Sequence, residues 1–103
     1  MILEIADFTV RPGTQGEFGA AIERGVQTII SKAAGYRRHE VQQCIETPER
    51  FVLMIEWDTL ENHTVDFRGS PAFLSWREIV GPYFAKPPHV EHFNRVGGTR
   101  SGR

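Results

Sequence analysis

The run "RFVLMIEWD" (50–58) has the alternation of a strand but leaves neither side wholly polar. Phe51, Leu53, Ile55 and Trp57 fall on one face, while Val52 and Met54 fall on the other, with Glu56 and Asp58 beyond them. A strand that is apolar on both faces has to be covered on both. The chain has 103 residues, which makes one domain with one modest core, burying roughly two-thirds of the surface its unfolded form exposes. A core that small closes a ligand pocket only with help, so a partner subunit enters the reading early.

The rest of the chain supplies cover for one face. "ILEIADFTV" (2–10) is rich in branched and aromatic residues and stops at the Pro-Gly of "RPGT", so it predicts a first strand ending near Val10. Thr14 and Glu17 have capping-box spacing, and Phe18, Ile22, Val26, Ile29 and Ala33 then recur at helical intervals until Gly35. "YRRHEVQQCIE" (36–46) and 50–58 predict a hairpin around "TPE". Asp58 or Thr59 can cap a second helix whose stripe is Leu60, His63, Thr64 and Phe67. Ser70-Pro71 restarts the helix, and its inner face is expected to hold Phe73, Trp76, Arg77 and Val80. "GPYFAKPP" (81–88) breaks it, "HVEHFNRV" (89–96) predicts the last strand, and the end of the chain reads as a flexible tail. The domain is therefore placed at 1–94 and the tail at 95–103.

Strand, long helix, hairpin, broken helix, strand is the order of the ferredoxin-like split βαβ fold, an α+β arrangement with a four-stranded antiparallel sheet. Its helices cover one sheet face. Val52 and Met54 make the other face apolar, so a homodimer with sheets packed face to face is expected, closing a dimeric α/β barrel.

Charge and cysteine content narrow the function classes. Twelve Lys plus Arg against 13 Asp plus Glu give a formal charge of −1, which offers no footprint for nucleic acid. The apolar runs are far shorter than the roughly 20 residues that span a bilayer, so no membrane association is expected. One cysteine, Cys44, cannot form an internal disulfide, and "MILEIADF" has acidic residues where a secretion signal needs basic ones. A cytoplasmic location is the expectation.

The stretch "RFVLMIEWDTLENHTVDFRGSPAFLSWREIVGPYF" joins a strand ending in Glu-Trp, a short helix with a His near its start, and a Ser-Pro-x-Phe helix followed by Trp-Arg. In these features the chain resembles the antibiotic biosynthesis monooxygenase (ABM) family of dimeric α/β-barrel proteins, from about Ile2 to about Phe93. The resemblance implies a cofactor-independent monooxygenase acting on a small aromatic or quinol-type molecule and molecular oxygen. The family's antibiotic-tailoring oxygenases use an Asn and a Trp on the third strand, a Tyr on the next helix and an Arg on the one after. Gapless placement puts the Trp on Trp57, the Tyr on His63 and the Arg on Arg77, with Leu53 where the Asn stands. In the haem-degrading relatives the essential His aligns with Arg77 and the Trp with Phe67, and the first strand offers Asp7 but no Asn. A haem-binding or haem-degrading role thus lacks its iron ligand. A non-catalytic small-ligand-binding or stress-associated dimer is the alternative that the Leu53 substitution allows.

The residues themselves sharpen these expectations. Histidine titrates near neutral pH and can accept a phenolic or enolic proton, so His63 is the candidate catalytic base, against packing on Trp57 as its structural role. Arg77, on an inward stripe, needs a partner: either Glu56 or Asp58, or a substrate oxyanion. Trp57, Phe67, Trp76 and Tyr83 are the candidate substrate-binding aromatics, with Trp57 placed first. His39, His89 and His92 have no metal-site spacing, and no glycine-rich phosphate loop is present, so neither a metal nor a cofactor is expected.

Overall fold

A computed structural model describes residues 1–99. Strand β1 (Ile2–Thr9) is followed by helix α1 (Gln15–Thr28), a 3₁₀ turn (Ile30–Lys32), and the strands β2 (Tyr36–Gln43) and β3 (Arg50–Trp57). A π-helical turn (Asn62–Phe67), helix α2 (Pro71–Val80), a second 3₁₀ turn (Gly81–Tyr83) and strand β4 (His89–Phe93) complete the chain. The strands form one sheet in the order β2-β3-β1-β4, antiparallel throughout. This is the expected ferredoxin-like α+β fold. Residues 100–103 of the expected tail lie outside the described residues.

The register decides which side chains meet. Pairing Ile2 with Trp57, Glu4 with Ile55, Ala6 with Leu53 and Phe8 with Phe51 turns these residues to one face. On the other side of β1, Glu4 faces His92 and Ala6 faces Val90. Helix α1 lays Phe18, Ile22 and Val26 on this face, and α2 adds Trp76 and Val80, all at most 6% exposed. Each such large apolar side chain contributes roughly 1.5–3 kcal/mol by leaving water. The helices approach closely because residue 25 is glycine: a β-carbon there would lie 2.8 Å from the ring of Trp76.

Both strand faces divide as the alternation predicts. Phe51, Leu53, Ile55 and Trp57 are buried beneath the helices, whereas Val52, Met54 and Glu56 on the outer face are only half-buried. Leu3 and Ile5 extend that outer face on β1.

Several local expectations are corrected. Thr14 does not form a capping box: its hydroxyl donates to the Arg11 carbonyl at 2.6 Å, and no side chain caps α1. The helix stops at Thr28 and tightens into the 3₁₀ turn, which buries Ile30 and leaves Ile29 and Ala33 at the edge of the core. Gly35, at φ +86°, shapes the turn into β2 instead of ending the helix. Strands β2 and β4 end earlier than 46 and 96. The second helix is π-helical, so its stripe is not the α-helical one. The Arg68 N–H reaches the His63 carbonyl five residues back at 3.1 Å, which turns His63 and Phe67 inward and leaves Leu60 40% exposed.

Candidate active site

A cavity of about 880 Å³ opens between the inner sheet face, the π-helical turn, α2 and the segment 84–90. That is the size range of small-molecule sites. Glu4, Leu53, Trp57 and His63 line its deep part, Phe67, Phe73 and Trp76 its wall, and the exposed Arg68, Arg77 and Lys86 its mouth.

The deep part is assembled from three elements. Trp57 ends β3 fully buried, and its indole N–H donates to Glu4 Oε1 at 2.9 Å. After the strand, Thr59 and Asn62 bond each other, with the Asn62 side-chain oxygen accepting the Thr59 N–H at 3.1 Å, and this starts the π-helical turn. The turn lays the His63 ring flat against Trp57 (5.4 Å, 21°) and near Phe67 (6.2 Å, 25°). His63 Nε2 stands 3.4 Å from Glu4 Oε1, and its Nδ1 is 2.8 Å from His92 Nε2. His92 comes from β4, directly opposite Glu4 in the sheet.

Burial sets the electrostatics. A carboxylate with little access to water is costly to ionise, and burial pushes the Glu4 carboxyl up to about 7 against the opposing pull of the Trp57 hydrogen bond and the Arg68 charge. The same burial, reinforced by Arg68 and His92, pushes His63 down to about 3. His92 is lowered as well, by burial and then Arg68. His63 is therefore neutral at physiological pH, and its contact with Glu4 is not an ion pair. A neutral imidazole is donor on one nitrogen and acceptor on the other. His63 Nδ1 shares a hydrogen bond with His92 Nε2, while Nε2 stands beside the Glu4 carboxyl without a hydrogen bond to it. Glu4, His63 and His92 thus form a line of polar groups from the deep cavity to the half-buried His92.

The expected site residues divide. Trp57, His63, Phe67 and Trp76 meet at the cavity. Arg77 also lines it but is exposed, not inward: α2 buries Trp76 and Val80, and the next residue after Trp76 turns about 100° away. Its guanidinium lies 5.9 Å from the Phe73 ring centre. The carboxylates expected to pair with it are taken, Glu56 by Arg38 at 3.3 Å and Asp58 by Arg37 at 2.8 Å. Tyr83 is not brought to the cavity; it packs edge-on against Phe18 at 5.8 Å, and its neighbour Phe84 lines the wall. His39 sits elsewhere, between Tyr36 and Glu23. Among the described residues, no group of three or more His, Cys, Asp or Glu is arranged to hold a metal, and no helix is long and apolar enough to cross a membrane.

Glu4 and His92 were not anticipated. The signal for Glu4 is its parity: on β1 it shares a face with Ala6 and Phe8, where a carboxylate is out of place. The meeting of His92 with Glu4 depends on β1–β4 register, which no local pattern carries.

Comparison with known proteins agrees with this architecture. The family model for antibiotic biosynthesis monooxygenase matches residues 1–79. The uncharacterized protein YczJ of Bacillus subtilis (strain 168) is 36% identical over 96 residues, which cover 93% of this chain and 100% of YczJ. A crystal structure from Bordetella bronchiseptica that bears the same family name is 39% identical, with a TM-score of 0.87 over 92% of this chain and 96% of the other. Two structures share the fold at lower identity, both with a TM-score of 0.82. SnoaB, a cofactor-independent oxygenase from Streptomyces nogalater, is 16% identical over 97% of each chain. The ActVA-Orf6 monooxygenase of Streptomyces coelicolor, solved with nanaomycin D, is 20% identical over 98% of this chain and 92% of the other. By the family model, by identity and by fold, the chain belongs to the antibiotic biosynthesis monooxygenase family.

Proposed function

We propose that the protein is a cofactor-independent monooxygenase acting on a small planar aromatic substrate with an acidic proton, of the anthrone or hydroquinone type. The observation that carries this is the buried Glu4 carboxyl, held by Trp57 at the deep end of the cavity and raised to about 7, so that it can take a proton near neutral pH. The proton acceptor is the His63–Glu4 pair. Glu4 is its stronger base and takes the proton, while His63, stacked on Trp57 and hydrogen-bonded to His92, holds its ring beside the carboxylate. Arg77 stabilises the anion that forms, and Trp57, Phe67 and Trp76 hold the ring.

Loss of the proton leaves an electron-rich anion that reduces molecular oxygen as a carbon–oxygen bond forms. Protonation gives a hydroperoxide, and loss of the remaining hydrogen on that carbon expels water. One oxygen atom stays on the substrate as a carbonyl, the other leaves as water, and all the electrons come from the substrate. The working form is a homodimer joined through the outer sheet face, and the free thiol of Cys44 suits a reducing cytoplasm.

Oxygen uptake with a panel of anthrones and hydroquinones tests the proposal. The rate of the parent should rise with pH through about 7. Glu4→Gln should slow turnover on the order of 10²–10⁴-fold, and His63→Phe should slow it while keeping the ring packed. Turnover by Glu4→Gln at the parental rate contradicts the proposal. The buried, apolar Leu53 in the cavity favours a second reading, a binding protein without turnover. Saturable ligand binding with no oxygen uptake across the panel would establish that instead.

A further inference from the structure

The cavity mouth carries more positive charge than the single anion formed at Glu4 requires. Arg68, Arg77 and Lys86 all line it, and the lining has one carboxylate, Glu4, which is buried at the deep end. Three cations thus gather on one opening in a chain whose formal charge is −1. Among the described residues, none of the three has a carboxylate within salt-bridge distance, although Arg37, Arg38 and Arg50 elsewhere are paired with Asp58, Glu56 and Asp7. The three come from separate places: Arg68 from the end of the π-helical turn, Arg77 from α2, and Lys86 from the loop before β4. Arg77 is further poised over the Phe73 ring, which leaves its planar donors free for an anion.

We propose that this mouth recognises a carboxylate carried by the substrate. The ligand is then a hydroxyaryl carboxylate, with its acidic hydroxyl directed to Glu4 and its carboxylate bridged by Arg77 and Lys86. The inference rests on placing the reacting group at Glu4, and it names the substrate class that such a cavity selects. Two anionic ends would be repelled by a lining of ordinary acidity. Here the cations attract the permanent charge, and the aromatic wall between mouth and depth takes a flat ring. Arg68 lies close enough to the deep end to act on the titration of Glu4 and His63, so it favours an anion there as well.

Isothermal titration calorimetry with 6-hydroxy-2-naphthoate and 6-hydroxy-2-naphthamide tests the proposal, since the pair differ in charge and little in shape. The carboxylate should bind about tenfold more tightly, or better, and its advantage should shrink as salt is raised. The double variant Arg77→Gln/Lys86→Gln changes only exposed side chains, so circular dichroism should show the parental fold while the preference for the carboxylate disappears. Equal affinity for the two probes, no binding of the carboxylate, or a preference that survives in the double variant would overturn it. Oxygen uptake separates the two levels of inference. Charge-selective binding without uptake keeps this site and counts against the oxygenase; uptake with no charge preference does the reverse.

Discussion

At the scale of single residues, one buried carboxyl and one buried imidazole are shifted in opposite directions by the same cause. Glu4 holds its proton up to about 7 in the folded state, against 4.5 ordinarily. Between those values the native state binds more protons than the unfolded chain, so this group favours folding below about pH 4.5, and its contribution is lost as pH rises through 7. The loss amounts to roughly 3 kcal/mol at 1.36 kcal/mol per pH unit. His63 acts in the other direction: its depressed value means that stability is lost as pH falls from 6.5 towards 3. Glu4→Gln keeps an oxygen for the Trp57 N–H and removes the ionisation. Urea unfolding at pH 4.5 and pH 8.5 should therefore show the variant gaining about 3 kcal/mol over the parent at the higher pH, relative to their difference at the lower. An unchanged difference would mean that Glu4 ionises freely. Part of this site was legible in the chain: Trp57, His63, Phe67 and Trp76 came from strand and helix spacing with the Glu-Trp and Ser-Pro signature. The basicity of the site was not. His63 carries an ordinary pKa in sequence and loses it only when Trp57, Phe67 and Arg68 surround it.

At the scale of elements, the π-helical turn and the α1–α2 contact do most to place the site. An α-helical stripe would have pointed Leu60 inward with His63 and Phe67; around the wider turn His63 and Phe67 are buried and Leu60 is not. Such a turn has no distinctive hydrophobic period over six residues, which is why the spacing suggested an α-helix. Arg77 illustrates the same limit, since a shift of one residue in helical phase moves a side chain from the core to the rim. The α1–α2 contact depends on Gly25, which admits the Trp76 ring that forms part of the cavity wall. Gly25→Ala should destabilise by about 1–3 kcal/mol through overpacking and weaken ligand binding with it. Gly19→Ala, on the same helix with open space around it, should stabilise by up to about 1 kcal/mol. Denaturant titration of the two variants checks this, and equal effects would mean that the Trp76 contact carries no weight.

At the scale of the molecule, the order of elements and the two-faced strand β3 were enough to reach the fold, because each element's periodicity agrees with its neighbours. Burial follows the inner parity of β3 without exception. The outer parity leaves Leu3, Ile5, Val52 and Met54 on a face without helices. A homodimer through this face is expected by light scattering, and Met54→Glu should shift it to monomer while leaving the circular dichroism of the parent. A parent that is monomeric at all concentrations would remove the dimer. Across all three scales, what matters most is that the buried end of the cavity holds a carboxyl able to exchange its proton near neutrality. Carbon-13 NMR titration of the glutamate side-chain carboxyls, with Glu4 assigned from the Glu4→Gln spectrum, measures this. One resonance should titrate near pH 7 and vanish in the variant. If the Glu4 signal titrates near 4.5 with the other glutamates, the proposed proton acceptor does not exist.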